Sequence, residues 1–479
     1  MLDGRTTPTQ SVRPAATELS ILAGSPRVSA PPFLIRVAET NSEIGDYRRL
    51  RHCEFVERQG LFTHSDHDDC DDDPRTTILI AVAADNAVLG GVRVSPCTSI
   101  DIGWWSGSRL VVADSAHAAG IGAALITAAC ALVESRDVLR FDATVQDRYS
   151  RLFASLGWED HGAGPTINGR AHRHKSWPIG RIQGQVDSTK AVLAQSLRPF
   201  VEQEGGLGPA GFRGDDAVPV PDSDLLAACD AIVPSMVERD PEWAGWCSVL
   251  VNINDLSAMG AHAVGMLDAV GAPTVAHLNR IVRGISAAAH AWRTPILGGH
   301  TQVGVPAALS LTAMGRTESP VAAGGGRVGD HVSLLADLGG SWRPGYFGQQ
   351  WDSTSSRTAH ELGEMASAVA QLRPAAAKDV SMAGLVGTLG MLAEASGTGA
   401  ELDVAAIPRP ADAAMGAWLT CFPGYAMLMA DRSPITRAHG PAVAAGCGRL
   451  TETTGIRLKW PDGRRTEAIA SAVTGLGRA

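Results

Sequence analysis

Lysine is almost missing from this chain: Lys175, Lys190, Lys378 and Lys459 are the whole complement, and arginine carries the rest of the positive charge. With 41 basic residues against 50 acidic ones and a formal net charge of -9, no basic surface is available to wrap a polyanion. Nucleic-acid affinity rests on clustered cations, so nucleic acid is not an expected partner. Long apolar runs are missing too. The longest, over residues 118–133, is interrupted by glycine and falls short of the roughly 18 residues that suggest a membrane span. The N-terminus lacks the basic-then-apolar order of a signal peptide. The eight cysteines are scattered, without a C-x-x-C pair or a Cys/His set at zinc spacing. That excludes a disulfide framework and a structural zinc, and it fits a reducing cytoplasm.

What is present is ample apolar material. Hydrophobic residues make up 45% and charged residues 19% of 479, which predicts two or three packed units. Residues 1–32 are rich in Pro, Ser, Thr and Ala and read as a mobile leader. A first unit of mixed α/β and α+β character is expected over 33–180. It should contain a charged helix (46–59), an acidic loop, a strand pair (77–84, 87–94), a strand–turn–helix (109–133) and a further strand (138–145). A connector with one helix (188–202) is expected over 181–204. Beyond it the composition shifts to Ala, Gly and Val in alternating α and β patterns, with two halves, 205–320 and 321–479.

In the first unit the informative stretch is Arg109-Leu-Val-Val-Ala-Asp-Ser-Ala-His117-Ala-Ala-Gly120-Ile-Gly122-Ala-Ala-Leu-Ile126. A β-branched strand runs into a glycine turn that opens a helix, and a helix start presents free N–H groups suited to a pyrophosphate. Close helix-to-strand packing without a ligand is the alternative. With Glu54-Phe-Val-Glu-Arg-Gln-Gly60, Val88-Leu-Gly-Gly-Val-Arg93-Val94 and Leu152-Phe-Ala-Ser-Leu-Gly157-Trp158, the order of motifs resembles the GNAT acetyltransferase family. The resemblance implies a splayed mixed central sheet with flanking helices. It also implies that backbone groups of Val111, Val112, Ala119, Gly120, Ile121, Gly122 and Ala123 hold acetyl-CoA or another acyl-CoA. His117 departs from the residue that usually opens the phosphate loop. Phe153 stands where the family often carries a tyrosine that protonates the thiolate, so Tyr149, one turn earlier, is the candidate acid, against an ordinary surface tyrosine. Glu54 is the candidate base, against an ordinary helix-surface charge. The acidic run from His64 to Asp73 reads as a solvated loop that attracts a cationic amine, in preference to a metal site.

In the second unit, four stretches combine acidic or Asn side chains with small residues, the pattern expected where magnesium bridges carboxylates and nucleotide phosphates. They are Gly214-Asp215-Asp216-Ala217, Asp230 within Ala228-Cys-Asp-Ala-Ile-Val-Pro234, Asn252-Ile-Asn-Asp255, and Gly298-Gly299-His300-Thr301. In this order they resemble the superfamily of aminoimidazole-ribonucleotide (AIR) synthetase, thiamine-monophosphate kinase, selenide-water dikinase and the hydrogenase-maturation carbamoyl dehydratase. The resemblance implies a two-subdomain PurM-like α/β fold and the cofactors ATP and Mg2+. It implies that Asp215, Asp216, Asp230 and Asp255 hold magnesium, that Asn252 lies near the phosphates, and that Gly298, Gly299 and His300 line the same site. Lys378-Asp379-Val-Ser381 resembles the start of the second half, where a helix N-terminus can face phosphates. The segment leading into Gly214 offers Lys190 and no reactive cysteine, and Met382 replaces an aspartate of the thiamine-monophosphate kinases, which excludes both specific activities but keeps their class. The superfamily also implies a homodimer. The fusion resembles bacterial proteins encoded beside a nitrilase and a radical-SAM protein, which points to nitrile or amide chemistry. The expectation is a bifunctional enzyme that N-acylates an amine and uses ATP to activate a carbonyl or amide oxygen; the alternative is one ATP-dependent activity beside a non-catalytic, ligand-sensing GNAT-like module.

Overall fold

The computed structural model describes residues 33–114 and 120–479, and the chain divides into two compact units between Ile179 and Gly180. The expected leader, and His117 and Ala119 of the glycine turn, lie outside the described residues.

In the first unit, strand β1 (Phe33–Val37) leads to helix α1 (Asn41–Arg51), which starts earlier than the charge pattern predicts because Thr40 and Glu43 form a capping box. A wider π-helical stretch continues over His52–Arg58. Next come β2 (Thr77–Ala83), β3 (Val88–Pro96), β4 (Trp104–Val112), α2 (Ile121–Ser135), β5 (Arg140–Gln146), α3 (Ser150–Ser155), β6 (Glu159–Ile167) and β7 (Arg170–Trp177). They form one sheet in the order β1-β2-β3-β4-β5-β7-β6. Only β4 and β5 run parallel, and they pair only over Trp104–Gly107 against Arg140–Ala143. Past Gly107 the register of β4 on β3 shifts and Arg109 takes a left-handed φ of 55°, a bulge that re-aims the strand. The ends of β4 and β5 therefore splay. Helix α2 buries Ile121, Leu125, Ile126, Ala129 and Val133 at helical spacing over one face of the sheet. Tyr47, Phe55 and Leu61 pack with Ile80, Val82 and Val111 in a second hydrophobic cluster.

The acidic run is solvated only in part, at His64, Ser65, His67, Asp69 and Asp72. Asp66, Asp68 and Asp71 fold inward onto three arginines. The Arg51 guanidinium donates to Asp66 at 2.6 Å and to Asp71 at 2.5 and 2.9 Å, while Arg93 donates to both oxygens of Asp68 at 2.5 and 2.8 Å. Arg109 donates to the Asp66 carbonyl and to Asp68, each at 2.9 Å. Arg51 and Arg93 are 1% and 2% exposed, so these pairs work in a poorly screened medium. Burial alone would raise the Asp71 carboxyl, but its hydrogen bonds from Arg51 outweigh that and hold it well below the ordinary carboxylate range. A density of aspartate suggests solvent; the cations that bury it lie on α1, β3 and β4.

In the second unit, the stretch expected as a one-helix connector is two helices, α4 (Arg181–Thr189) and α5 (Leu193–Val201). Gln185 of α4 ties it into this unit, donating to the carbonyls of Met382 at 2.6 Å and Thr420 at 2.9 Å. Then follow β8 (Val218–Pro219), β9 (Leu225–Ala231), α6 (Pro234–Arg239), α7 (Pro241–Ala258), β10 (His262–Ala272), α8 (Val275–Ala291), β11 (Ile296–Val303) and β12 (Ala308–Arg316). The sheet order is β11-β10-β12-β9-β8. Leu226, Met266, Leu309 and Leu311 pack with Val249, Ile253, Ile281 and Ile285 of α7 and α8. Edge strand β11 is exposed along nearly its whole length.

The second half runs β13 (His331–Ala336), β14 (Ser341–Trp342), β15 (Trp351–Asp352), α9 (Ala359–Ala366), α10 (Ala368–Leu372), β16 (Ala376–Asp379), α11 (Gly384–Ser396), β17 (Gly399–Asp403), α12 (Met415–Thr420), β18 (Ala426–Asp431), β19 (Val443–Thr451), β20 (Ile456–Lys459) and β21 (Arg465–Ile469). Its main sheet has the order β16-β18-β13-β19-β17-β20-β21. Helix α11 is buried on almost every side, which fits its continuous apolar and glycine sequence. Among the described residues, no helix is long and apolar enough to cross a membrane.

The arginine network yields a stability prediction. Arg51→Gln leaves Asp66 and Asp71 buried without their main cation, which should cost about 3–5 kcal/mol in the first unit. Because the folded state holds Asp71 low, stability is retained above about pH 4 and lost as pH falls further. Urea unfolding followed in that unit at pH 7 and pH 3 checks both; a variant as stable as the parent at pH 7 contradicts the account.

Candidate functional site

Helix α7 places Ser248, Asn252 and Asp255 on one face by their helical spacing, and all three are buried. The loop before β8 supplies Asp215 and Asp216, and the end of β16 supplies Lys378 and Asp379. One carboxylate oxygen each from Asp216, Asp255 and Asp379 converges within 4.8 Å of the others. The Asp379 backbone N–H donates to Asp216 at 3.2 Å. The Lys378 ammonium donates to Asp216 and to Asp215, the latter at 3.4 Å.

Burial dominates the electrostatics. It pushes Asp216 up to about 6, against the pull of Lys378. Asp255 stands well above the ordinary range through burial and then through the carboxylates of Asp379, Asp230 and Asp216; Asp379 is raised by burial and by Asp216. Burial alone would lower Lys378, but Asp216 and Asp215 outweigh it and keep the ammonium charged. One lysine cannot balance this many carboxylates, so at neutral pH the site needs protons or another cation. The donors are all oxygen, which fits a hard divalent cation such as magnesium.

The expected ligands fare differently. Asp216 and Asp255 meet. Asp230, on β9, is hydrogen-bonded to Asp255 and raised by burial. Asp215 is engaged elsewhere, its oxygens accepting from the Ala323 N–H at 2.8 Å, the Asp216 N–H at 2.9 Å and Lys378. Asn252 donates to the Ser248 carbonyl at 2.9 Å, and its buried Oδ1 has no partner. Gly298, Gly299 and His300 are not at this site: β11 is separated from β9 by β10 and β12, roughly 14 Å away across three strand spacings. Gly299 instead gives room to the Asp268 side chain, which an added Cβ would strike at 1.5 Å. Asp379, a candidate ligand, and Lys378, which pairs with Asp216, are not among the site residues expected from the sequence. Their segment reads as a phosphate-facing helix start, although a charged pair closing the apolar Ala375-Ala-Ala377 run marks a buried strand end.

The first unit holds a cavity of about 580 Å³ between the splayed strands. Of the expected CoA residues, Val111, Val112, Gly120, Gly122 and Ala123 line it, while the Ile121 side chain is fully buried in the hydrophobic core. Gly120 caps α2 with a left-handed φ of 72°. Tyr149 and Glu54 also line the cavity. Glu54 is a poor base here, because both its oxygens are occupied, one by Gln59 and one by Arg58. Gln59 accepts in turn from Gln146 Nε2 at 2.6 Å, and Gln146 Oε1 is buried without a partner. His172, opposite Gln146 in the β5–β7 ladder, bonds the Arg170 carbonyl through Nδ1 at 2.9 Å.

Comparison with known proteins follows this division. Residues 214–317 match the family model of the AIR synthase related protein N-terminal domain, and residues 347–456 that of its C-terminal domain. Protein sll0787 of Synechocystis sp. is 36% identical over 261 residues, covering 52% of this chain and 80% of that protein. A thiamine-monophosphate kinase of Synechococcus elongatus is 30% identical over 131 residues, 25% of this chain and 39% of the kinase. Among solved structures, T. maritima PurL complexed with FGAR superposes with a TM-score of 0.50 at 16% identity, covering 62% of this chain and 54% of PurL, and so shares the fold.

The cluster carries a pH signature. Its carboxyls titrate higher folded than unfolded, so without metal the second unit is most stable in acid and loses stability as pH rises from about 4 through 6. A divalent cation binds the deprotonated form and removes that penalty. Saturating Mg2+ should raise the thermal midpoint by about 5 °C or more at pH 8 and much less at pH 5; equal shifts at both would contradict the assignment.

Proposed function

Because this chain belongs to the AIR synthase-related family, whose members include ATP-dependent kinases and synthetases, we propose that its second unit is a magnesium- and ATP-dependent phosphotransferase or synthetase acting on a carbonyl, amide or related small molecule. The convergence of Asp216, Asp255 and Asp379 is the observation that carries the reading. These three would hold the metal, which when bound would supply positive charge to neutralise a phosphate group there. The protein's own work is positional. Lys378 fixes Asp216, Asp230 steadies Asp255, and Asn252 offers an unpaired carbonyl oxygen one turn from Asp255. No separate nucleophile is required.

For the first unit we propose acyl-CoA binding, supported by the β4–β5 splay, the glycine start of α2 and the cavity between them. The engagement of Glu54 favours a ligand-sensing module over a transferase. Amine acylation is the second reading, favoured by two groups at the same cavity. Gln146 Oε1 is free to accept from an amine, and His172, with Nδ1 on a backbone carbonyl, keeps Nε2 as a proton acceptor. Tyr149 is then the acid for the departing thiolate. We further propose a homodimer formed through the open face and exposed β11 edge of the first sheet of the second unit, which would bring Gly298, Gly299 and His300 to an interface.

Purified protein should hydrolyse ATP only with magnesium and its proper substrate, and Asp255→Asn should lower turnover by about a hundredfold or more with the fold intact; unchanged turnover would refute the site. Tight acetyl-CoA binding without transfer to any amine supports the sensor, and transfer lost in His172→Gln supports the second reading.

A further inference from the structure

The first-unit cavity is larger and greasier than an acetyl group requires. An acetyl group fills on the order of two water volumes, roughly 60 Å³, and this space of about 580 Å³ has room for it and for part of the pantetheine arm besides. It also does not end where the strands part. Its lining includes Ser106 and Gly107 of β4 and Phe141 and Ala143 of β5, at the closed end of the splay where the two strands still pair. From there it reaches beneath α2 to Ile126 and Ala129 and against Phe153 and Trp158. Phe141, Phe153 and Trp158 form its aromatic wall, with ring centroids 5.3 and 5.1 Å from Trp158. The charged and amide groups of the lining are Glu54, Gln59, Gln146 and Arg109, with Arg109 at the bulge of β4.

We propose that the closed, apolar end of this cavity takes the hydrocarbon chain of a medium-chain acyl-CoA, so that the ligand of the first unit is a fatty-acyl thioester and not acetyl-CoA. The inference rests on the acyl-CoA reading above and gives it a substrate class. An apolar pocket contiguous with the strand edge and helix start assigned to pantetheine and pyrophosphate admits a chain of methylenes without asking any polar group to lose water. Ala129 and Ala143 are small residues of the lining, so a larger side chain at either would intrude on the space. The acyl chain gains by burial, and each methylene removed from water is worth a several-fold gain in affinity.

Calorimetric titration of the full chain with CoA, acetyl-CoA and octanoyl-CoA tests this, with Ala129→Phe and the milder Ala143→Val as comparators whose folding is checked by thermal unfolding. Octanoyl-CoA should bind at least about tenfold more tightly than acetyl-CoA. Both substitutions should reduce that advantage and leave CoA binding as it was. If CoA binds but the two thioesters bind equally, or if a folded Ala129→Phe variant keeps the full advantage, the chain-length inference is overturned while acyl-CoA binding stands. If neither CoA nor either thioester binds, both are overturned.

Discussion

Asp216, Asp255 and Asp379 set three carboxylate oxygens within 4.8 Å of one another in a place that water scarcely reaches, with one lysine beside them. Such a group cannot be fully ionised without help, since like charges at this distance and depth repel strongly. Much of the second unit follows from meeting that demand. Helix α7 is buried nearly all round yet carries Ser248, Asn252 and Asp255 along one face. The edge strand β16 ends its apolar run with Lys378 and Asp379. Unbalanced carboxylates at this depth are what the proposed divalent cation would offset.

The first unit solves the same problem from within. There the Asp66 and Asp71 side chains are buried and Asp68 is half-buried beside Arg51, Arg93 and Arg109, and the guanidiniums of Arg93 and Arg51 hold Asp68 and Asp71 charged in place of being driven neutral. The two acidic sets thus have opposite pH signs: one is lost in acid, and the other is relieved by acid or by metal. That contrast separates a structural ion network from a binding site more sharply than the count of acidic residues, which is high in both.

Much of the architecture was legible in the sequence because it is local. The strand that ends at Val112, the helix that opens at Ile121, the Asn252–Asp255 helix face and the alternation of α and β in the second unit all follow from patterns a few residues long. The site was less legible, since its geometry depends on separations no local pattern reports. Asp379 reaches Asp216 across 163 positions through the pairing of β16 with β18. Adjacent Asp215 and Asp216 are alike in sequence and differ only in which one meets Ala323 and which faces the cluster. Motif alone groups Gly298, Gly299 and His300 with the aspartates, but strand order puts them at the opposite edge. The acidic run looks solvated because its arginine partners come from three separate elements.

The most direct test is to locate a metal in crystals of the full chain soaked in Mn2+, using anomalous scattering at the manganese edge. The expected result is a peak about 2.2 Å from oxygens of Asp216, Asp255 and Asp379, absent in Asp255→Asn crystals. A well-ordered cluster that stays without such a peak at saturating manganese, or a peak held by other residues, would contradict it.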